Sequence, residues 1–591
     1  MEPIDYFLGF ILNPLFLISL TFWIIVIICV YLLRNKKEAY TFFFPLLILF
    51  RTKKLNKLIM RISRKKPKIW RIFWNIGIFF SFSITIFALF YFFINLINLI
   101  FQPSIEQAIV PLIPGVTVDL PVFLYFILPI LFIMTTHEFA HGISASIDGV
   151  EIKSTGVLGL GFFYLVGFGA FVEVDERKLR SKKFHRNTRL RIAAAGTYVN
   201  GITAAIAFIL LINFATLISP FYVQVPQIAN VLSTDQGGFN EGKLDNGDAI
   251  LSIKNQGEPN NLYINLDYNK GIDLTAILNN ETRIKCEIGN NLTFKVYNSL
   301  KDSYAERNIT LGPRYYLGLE YQELNETALK ITFNYTSNHP VNIIITKING
   351  TDINKAVHYT LGAILTESNL KTLNLTSSLG ENYIIDIQVT GVYVGVQTIP
   401  YWMHKNDFAK FFTSNWPDFW LRETYWLFVI SLSVTIFNML PLPIFDGDRL
   451  IKEIINWGFG ENYSSIRKKK DRFFYKPNEP ECELSEYRVK AINEVKIILG
   501  DSKETIELSS EKYELVDYTG DGFKDTVLIK LPDNTTIKEK TVFEISYEYF
   551  YDNKIKQKRL TLNTLRIFSL IILIGNFLVT FLKFGFRIPW L

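Results

Sequence analysis

The chemistry this chain offers is concentrated in His137-Glu138-Phe139-Ala140-His141. On a helix, residues four apart share one face. The two imidazoles can therefore hold one zinc ion, and the carboxylate beside them can act as general base toward a water. The motif closes an uncharged run, residues 120–136. A carboxylate near the centre of a membrane helix costs roughly 2.5–3.5 kcal/mol. An ionisable group placed there points to function. A catalytic zinc also needs a third protein ligand and an open position. His185 sits in a basic loop, His339 and His358 in a polar middle region, and His404 before a late apolar run. Asp446 is the better candidate. It follows the uncharged stretch 424–445, within Asn438-Met439-Leu440-Pro441-Leu442-Pro443-Ile444-Phe445-Asp446-Gly447-Asp448. The prolines break the helix, and irregular backbone survives at membrane depth only where protein or a wet cavity satisfies it. Asp448 rivals Asp446 but lies nearer the water.

The elements that must carry these groups are apolar. Of 591 residues, 49% are hydrophobic and 50 are Phe, which is not the composition of a soluble protein. Spanning a bilayer takes about 20 apolar residues. Residues 6–33, 72–105, 120–136, 192–234, 424–445 and 567–582 are uncharged and give the expected spans. Residues 39–50 are too short to span and are assigned to the interface. No cleavable signal is evident, so the first run is expected to be retained. Cys29, Cys286 and Cys482 are too scattered for a disulfide framework or a thiolate metal site.

Charge gives orientation. Residues 51–71 hold ten Lys/Arg and no acid, which places them on the cytoplasmic side. Flanking apolar runs argue against nucleic acid as the partner. Alternation then puts 219–420 outside and about 448–560 in the cytoplasm, with the metal motif near the cytoplasmic face. Seven Asn-x-Ser/Thr sequons in the outer region lean the same way. That region reads as β-rich. Residues 244–260 and 341–354 each resemble the Gly-Asp-strand-Asn-Gly core of PDZ domains, which bind extended peptides at a sheet edge. Residues 448–560 also read as strands. Within them, Asp517 to Asp525 has the oxygen spacing of a calcium loop but has Leu528 where a bidentate Glu belongs, so a polar β-turn is favoured over Ca²⁺.

Taken together, HExxH on one membrane helix and Asn-x-x-Pro-x-Pro-x-x-Asp-Gly on a later one resemble the site-2 protease family of intramembrane zinc metalloproteases. Residues 111–121, 153–176 and 193–200 fit the same family. The last holds Gly196 and Asn200, with Thr197 where a Pro is common. The middle stretch resembles the family's membrane-associated β-loop. The resemblance implies zinc ligands His137, His141 and Asp446, with Glu138 as catalytic base. It implies substrate contact or oxyanion stabilisation by Asn438 and Asn200. It also implies a strand edge around Gly169, Ala170 and Phe171 for an unwinding substrate helix. PDZ-like insertions belong to the family; residues 448–560 are not covered.

The expected fold is a polytopic α-helical membrane protein with inserted β-rich soluble domains, tandem PDZ-like outside and a small one in the cytoplasm. The expected order opens with N-terminal spans (1–110) and the HExxH half of the catalytic membrane core (111–218). An outer region follows (219–420), either two PDZ-like copies near 220–322 and 323–400 or one PDZ-like domain with an insertion. Then come the Asp446 half of the core (421–450), a cytoplasmic insertion (451–560) and a last span (561–591). The expected activity is cleavage of transmembrane segments of single-span membrane proteins within the lipid bilayer. Two alternatives stand beside it: a non-catalytic PDZ-type scaffold, and a membrane zincin with a downstream Glu ligand. The Phe-, Ile-, Lys- and Asn-rich composition suggests an AT-rich genome, archaeal or bacterial.

Overall fold

The computed structural model describes all residues except 1–13, 35–38, 44–46, 114–116, 163–164, 176–178, 180–183, 229–239, 241, 258–261, 317–318, 326, 335–341, 355–360, 365–370, 397, 444, 475–480, 487, 499–504, 519–521, 531–540 and 586–591. It divides into two compact units, residues 1–209 with 423–591, and residues 210–422.

The first unit is built on helices α1 (Pro14–Leu32), α2 (Lys54–Arg64), α3 (Pro67–Phe101), α4 (Ile127–Ile147), α5 (Arg186–Ile212), α6 (Asn415–Asn438), α7 (Asp446–Phe459) and α8 (Ile555–Phe584). Among the described residues four helical stretches are long and apolar enough to cross a membrane: 67–101, 121–147, 186–212 and 555–584. This is a membrane protein with β-rich regions. Pro67 stands in the first turn of α3, where its missing N–H costs nothing. Asn95 and Asn576 join α3 to α8 by a buried side-chain hydrogen bond of 2.8 Å, a polar tie between apolar helices.

Beside the helices lies an antiparallel sheet in the order β1 (Tyr40–Phe43), β2 (Leu47–Thr52), β3 (Ile152–Phe162), β4 (Leu165–Val174). The expected β-loop is thus a hairpin. Residues 39–50, assigned to the interface, instead supply its first two strands, with Thr52 opposite Thr155. As the edge strand, β4 packs along α4.

Residues 461–553 form a β-sandwich between α7 and α8. One sheet runs Ser465–Phe474, Val542–Tyr551, Val489–Ile498, Thr505–Glu507, and the other Glu481–Glu483, Thr526–Ile529, Tyr513–Val516. Alternate residues of Val542–Tyr551 are buried, and Phe543, Ile545 and Tyr547 meet Val495 and Val527 in the core. The boundaries expected at 450 and 560 cut through α7 and α8. The charges of α7 (Asp448, Arg449, Lys452, Glu453) hide that helix from a hydropathy reading, and the basic first turns of α8 hide its start. The segment Asp517 to Asp525, expected to be a polar β-turn, not a calcium loop, lies partly outside the described residues. There Asp517 accepts the Gly522 N–H at 2.8 Å and Asp525 accepts the Tyr518 N–H at 3.1 Å.

Among the described residues the second unit holds two six-stranded sheets and a two-stranded one, Gly312–Tyr316 with Gln388–Tyr393. The first runs Thr398–His404, Tyr222–Ile228, Asp248–Asn255, Asn291–Asn298, Ser303–Thr310. The second runs Leu319–Asn325, Ala328–Asn334, Ile344–Ile348, Thr372–Ser377, Asn382–Asp386. In Thr372–Ser377, Leu373, Leu375 and Ser377 point inward, the period of a half-buried strand. The sheets are nested, not consecutive as the boundaries 220–322 and 323–400 imply. Thr398–His404 returns after the second sheet to pair with Tyr222–Ile228 and complete the first.

Candidate metal centre

Helix α4 carries His137, Glu138 and His141, and α7 begins at Asp446. The prolines end α6 at Asn438, and Phe445 is extended before α7 starts. Gly447 makes this turn possible, since a Cβ there would overlap the Met439 carbonyl group. Asp446 therefore sits in the first turn of a helix, where backbone N–H groups favour a carboxylate.

The three side chains converge. Asp446 Oδ2 is 3.2 Å from His137 Nε2 and 3.2 Å from His141 Nε2. The two Nε2 atoms are 3.1 Å apart. Tetrahedral ligands about 2.0–2.1 Å from a zinc ion stand about 3.3 Å from one another, so this triangle fits one. No other group of three His, Cys, Asp or Glu side chains converges in this way among the described residues. All three are largely withdrawn from solvent, with side chains 9–13% exposed.

A second layer orients them. His141 Nδ1 is 2.7 Å from the Ile192 carbonyl oxygen, so it donates its ring proton there and leaves Nε2 to a metal. Asn200, fully buried on α5, puts its side-chain amide 3.0 Å from His137 Nδ1. The Asn200 amide oxygen is buried and otherwise without a partner. It is Nδ2 that lies 3.0 Å from Nδ1; turning the amide by 180° exchanges the two atoms and brings the unpartnered Oδ1 to Nδ1, where it accepts the ring proton that Nε2 ligation leaves. Asn438 Nδ2 donates to Asp446 Oδ2 at 2.9 Å and to Thr197 Oγ1 at 3.3 Å, while its Oδ1 accepts the Asp446 N–H at 3.3 Å. Asn200 and Asn438, expected to meet the substrate, thus each contact a candidate ligand, His137 and Asp446, and Asn438 also reaches Thr197. Asp448, the rival ligand, is held by Arg566 of α8 through two hydrogen bonds of 2.6 Å and stands outside the triangle.

Glu138 faces the strand edge. Its Oε2 accepts the Val172 N–H at 3.1 Å. That N–H points away from β3, and antiparallel alternation turns the backbone N–H and C=O of Ala170 toward the same open edge. Gly169 and Phe171 flank Ala170 on this strand. The expected edge residues therefore lie beside the expected base. Ile192 was not foreseen, and Val172 only as part of the edge from Gly169 to Glu173, not as the partner of Glu138. Both act through backbone atoms, which leave no mark in residue type.

The family model described as Peptidase family M50 matches residues 125–470, a stretch that begins before His137 and ends beyond Asp446. A similar curated protein is the Arabidopsis thaliana "Membrane-bound transcription factor site-2 protease homolog", 24% identical over 210 residues. The match covers 34% of this chain and 37% of that protein, so the chain spans little over a third of the relative's length.

Proposed function

This chain belongs to peptidase family M50, the family of the site-2 proteases, and from that premise we propose that it is an intramembrane zinc endopeptidase cutting transmembrane segments of single-span membrane proteins. The observation that carries the reading is the triangle of His137, His141 and Asp446 beside a carboxylate tethered at a strand edge. A zinc ion held by the three side chains would supply Lewis acidity, polarising a carbonyl and acidifying water. Glu138 takes the proton of the attacking water and delivers it to the leaving amine. Asn200 and Asn438 are positioning residues, the first for His137 and the second for Asp446.

Peptide bonds of a helix are shielded by their own hydrogen bonds, so the substrate must unwind locally before attack. The open edge at Gly169, Ala170 and Phe171 receives the unwound segment by adding a strand to β4. The metal site lies near the cytoplasmic side, and residues 219–420 are extracytoplasmic and PDZ-like, acting as a filter or docking site for substrates. A scaffold with a decayed site would not keep this ligand triangle, and a zincin with a downstream Glu ligand leaves Asp446 unexplained.

The test is cleavage of a model single-span protein by the purified chain, with metal content measured alongside. Asp446→Ala should lower both zinc content and cleavage. Undiminished zinc in that variant would remove Asp446 from the ligand set.

A further inference from the structure

Helix α2 has two faces with different partners. Its inner face is docked on the metal-bearing helix. Ile59 is fully buried against Gly142, the residue after His141, where an added Cβ would lie 3.0 Å from Ile59 Cδ1. Ser63 Oγ and Ser146 Oγ are 2.9 Å apart, and Asn56 Nδ2 donates to the Ile152 carbonyl at 3.0 Å. The outer face carries Lys54, Lys57, Arg61 and Arg64, and the turn into α3 adds Lys65 and Lys66, all exposed. Among the described residues none of these six cations meets a carboxylate. Leu58 is exposed in their midst.

The depth of this face follows from what adjoins it. The 35-residue apolar helix α3 starts at Pro67, immediately after the cations. Trp70, in its first turn, donates its indole N–H to the Ile62 carbonyl of α2 at 3.2 Å. An indole at the end of a membrane span marks the headgroup level. The cations therefore stand where the bilayer surface begins, within a Debye length of lipid phosphates.

We propose that the outer face of α2 is a docking surface for anionic phospholipid headgroups, and that their binding steadies α4 through Ile59 and Ser63. The ligand is an anionic lipid, phosphatidylglycerol being the simplest, because charge complementarity and continuity with α3 favour it over soluble polyanions. Long cationic side chains reach outward to phosphate while Leu58 enters the acyl boundary. The site is independent of the protease reading and holds whether or not the chain cleaves peptides.

The test uses the full chain in non-ionic detergent, with phosphatidylglycerol or phosphatidylcholine added and bound lipid counted by native mass spectrometry. Phosphatidylglycerol should be retained about tenfold more strongly and should raise the thermal unfolding midpoint. The preference should shrink at about 1 M salt, where screening is nearly complete beyond about 3 Å. Lys54→Gln/Lys57→Gln/Arg61→Gln should abolish the preference. Lys468→Gln/Lys470→Gln/Arg472→Gln, on the exposed strand Ser465–Phe474, should leave it. The wild-type lipid and salt comparison stands even if a variant fails to fold. Equal retention of the two lipids, or displacement of phosphatidylglycerol by the same concentration of inorganic phosphate or an acidic peptide, would overturn the proposal.

Discussion

Gly196 of α5 lies flat against the His137 imidazole: a Cβ built on it would overlap both Cε1 and Nε2 of the ring. No side chain fits there while His137 keeps its place in the ligand triangle. Gly196→Ala should therefore displace the imidazole, weakening zinc binding by about 10–100-fold, the scale on which disturbed ligand orientation acts. Metal titration of the purified variant, with helical content checked by circular dichroism, reads the effect. Unchanged affinity would mean that His137 does not occupy this position when metal is bound.

Asn200 supports the same imidazole from its other nitrogen. Asn200→Ala should cost about 10–100-fold in metal affinity. Asn200→Asp, which keeps an acceptor toward Nδ1, should recover much of it. A variant that binds zinc normally and loses only substrate affinity would return Asn200 to the substrate-contacting role.

Arg566 grips Asp448 with a two-pronged hydrogen bond, and Asp448 is almost wholly buried. Arg566→Ala leaves that carboxylate without its cation and should cost about 2–3 kcal/mol of stability. Asp446 is two residues away on the same first turn, so zinc retention should fall as well. Arg566→Lys should rescue less than half, because an ammonium cannot reproduce the planar fork. Thermal unfolding and zinc content of the two variants decide it.

In the second unit, burial holds the His404 imidazole below its ordinary value, with the Lys410 ammonium adding to the effect against Asp302 and Asp407. The folded unit therefore takes up this proton less readily than the unfolded chain. Stability from this group is complete above the ordinary histidine value and drains away as pH falls through about 6.5 toward the lower folded value. Unfolding of residues 210–422 followed between about pH 7 and pH 5 should show the loss, and His404→Asn should flatten it. An identical slope in the variant would assign the dependence to other groups.

Local chemistry made the centre legible in the sequence. Four-residue spacing brings His137 and His141 to one helix face, and the broken helix around Pro441 and Pro443 singles out Asp446. Long-range pairing was not legible. β1 and β2 read as an apolar stretch, because nothing local in Leu47–Thr52 announces that it pairs with the distant β3. The return strand Thr398–His404 joins Tyr222–Ile228 across the whole second sheet, a crossover that composition does not record. Asn200 and Asn438 were singled out only by the family resemblance. Their partners, His137 and Asp446, emerged only once α4, α5, α6 and α7 were packed together.

The central claim is that Glu138 moves the proton while His137, His141 and Asp446 hold the metal. Glu138→Gln separates the two roles. Zinc stoichiometry and cleavage of a single-span membrane substrate, measured on the same preparation, should show zinc retained as in the wild type and cleavage reduced by at least about 10²-fold. Cleavage that persists near the wild-type rate in the zinc-loaded variant would contradict the account.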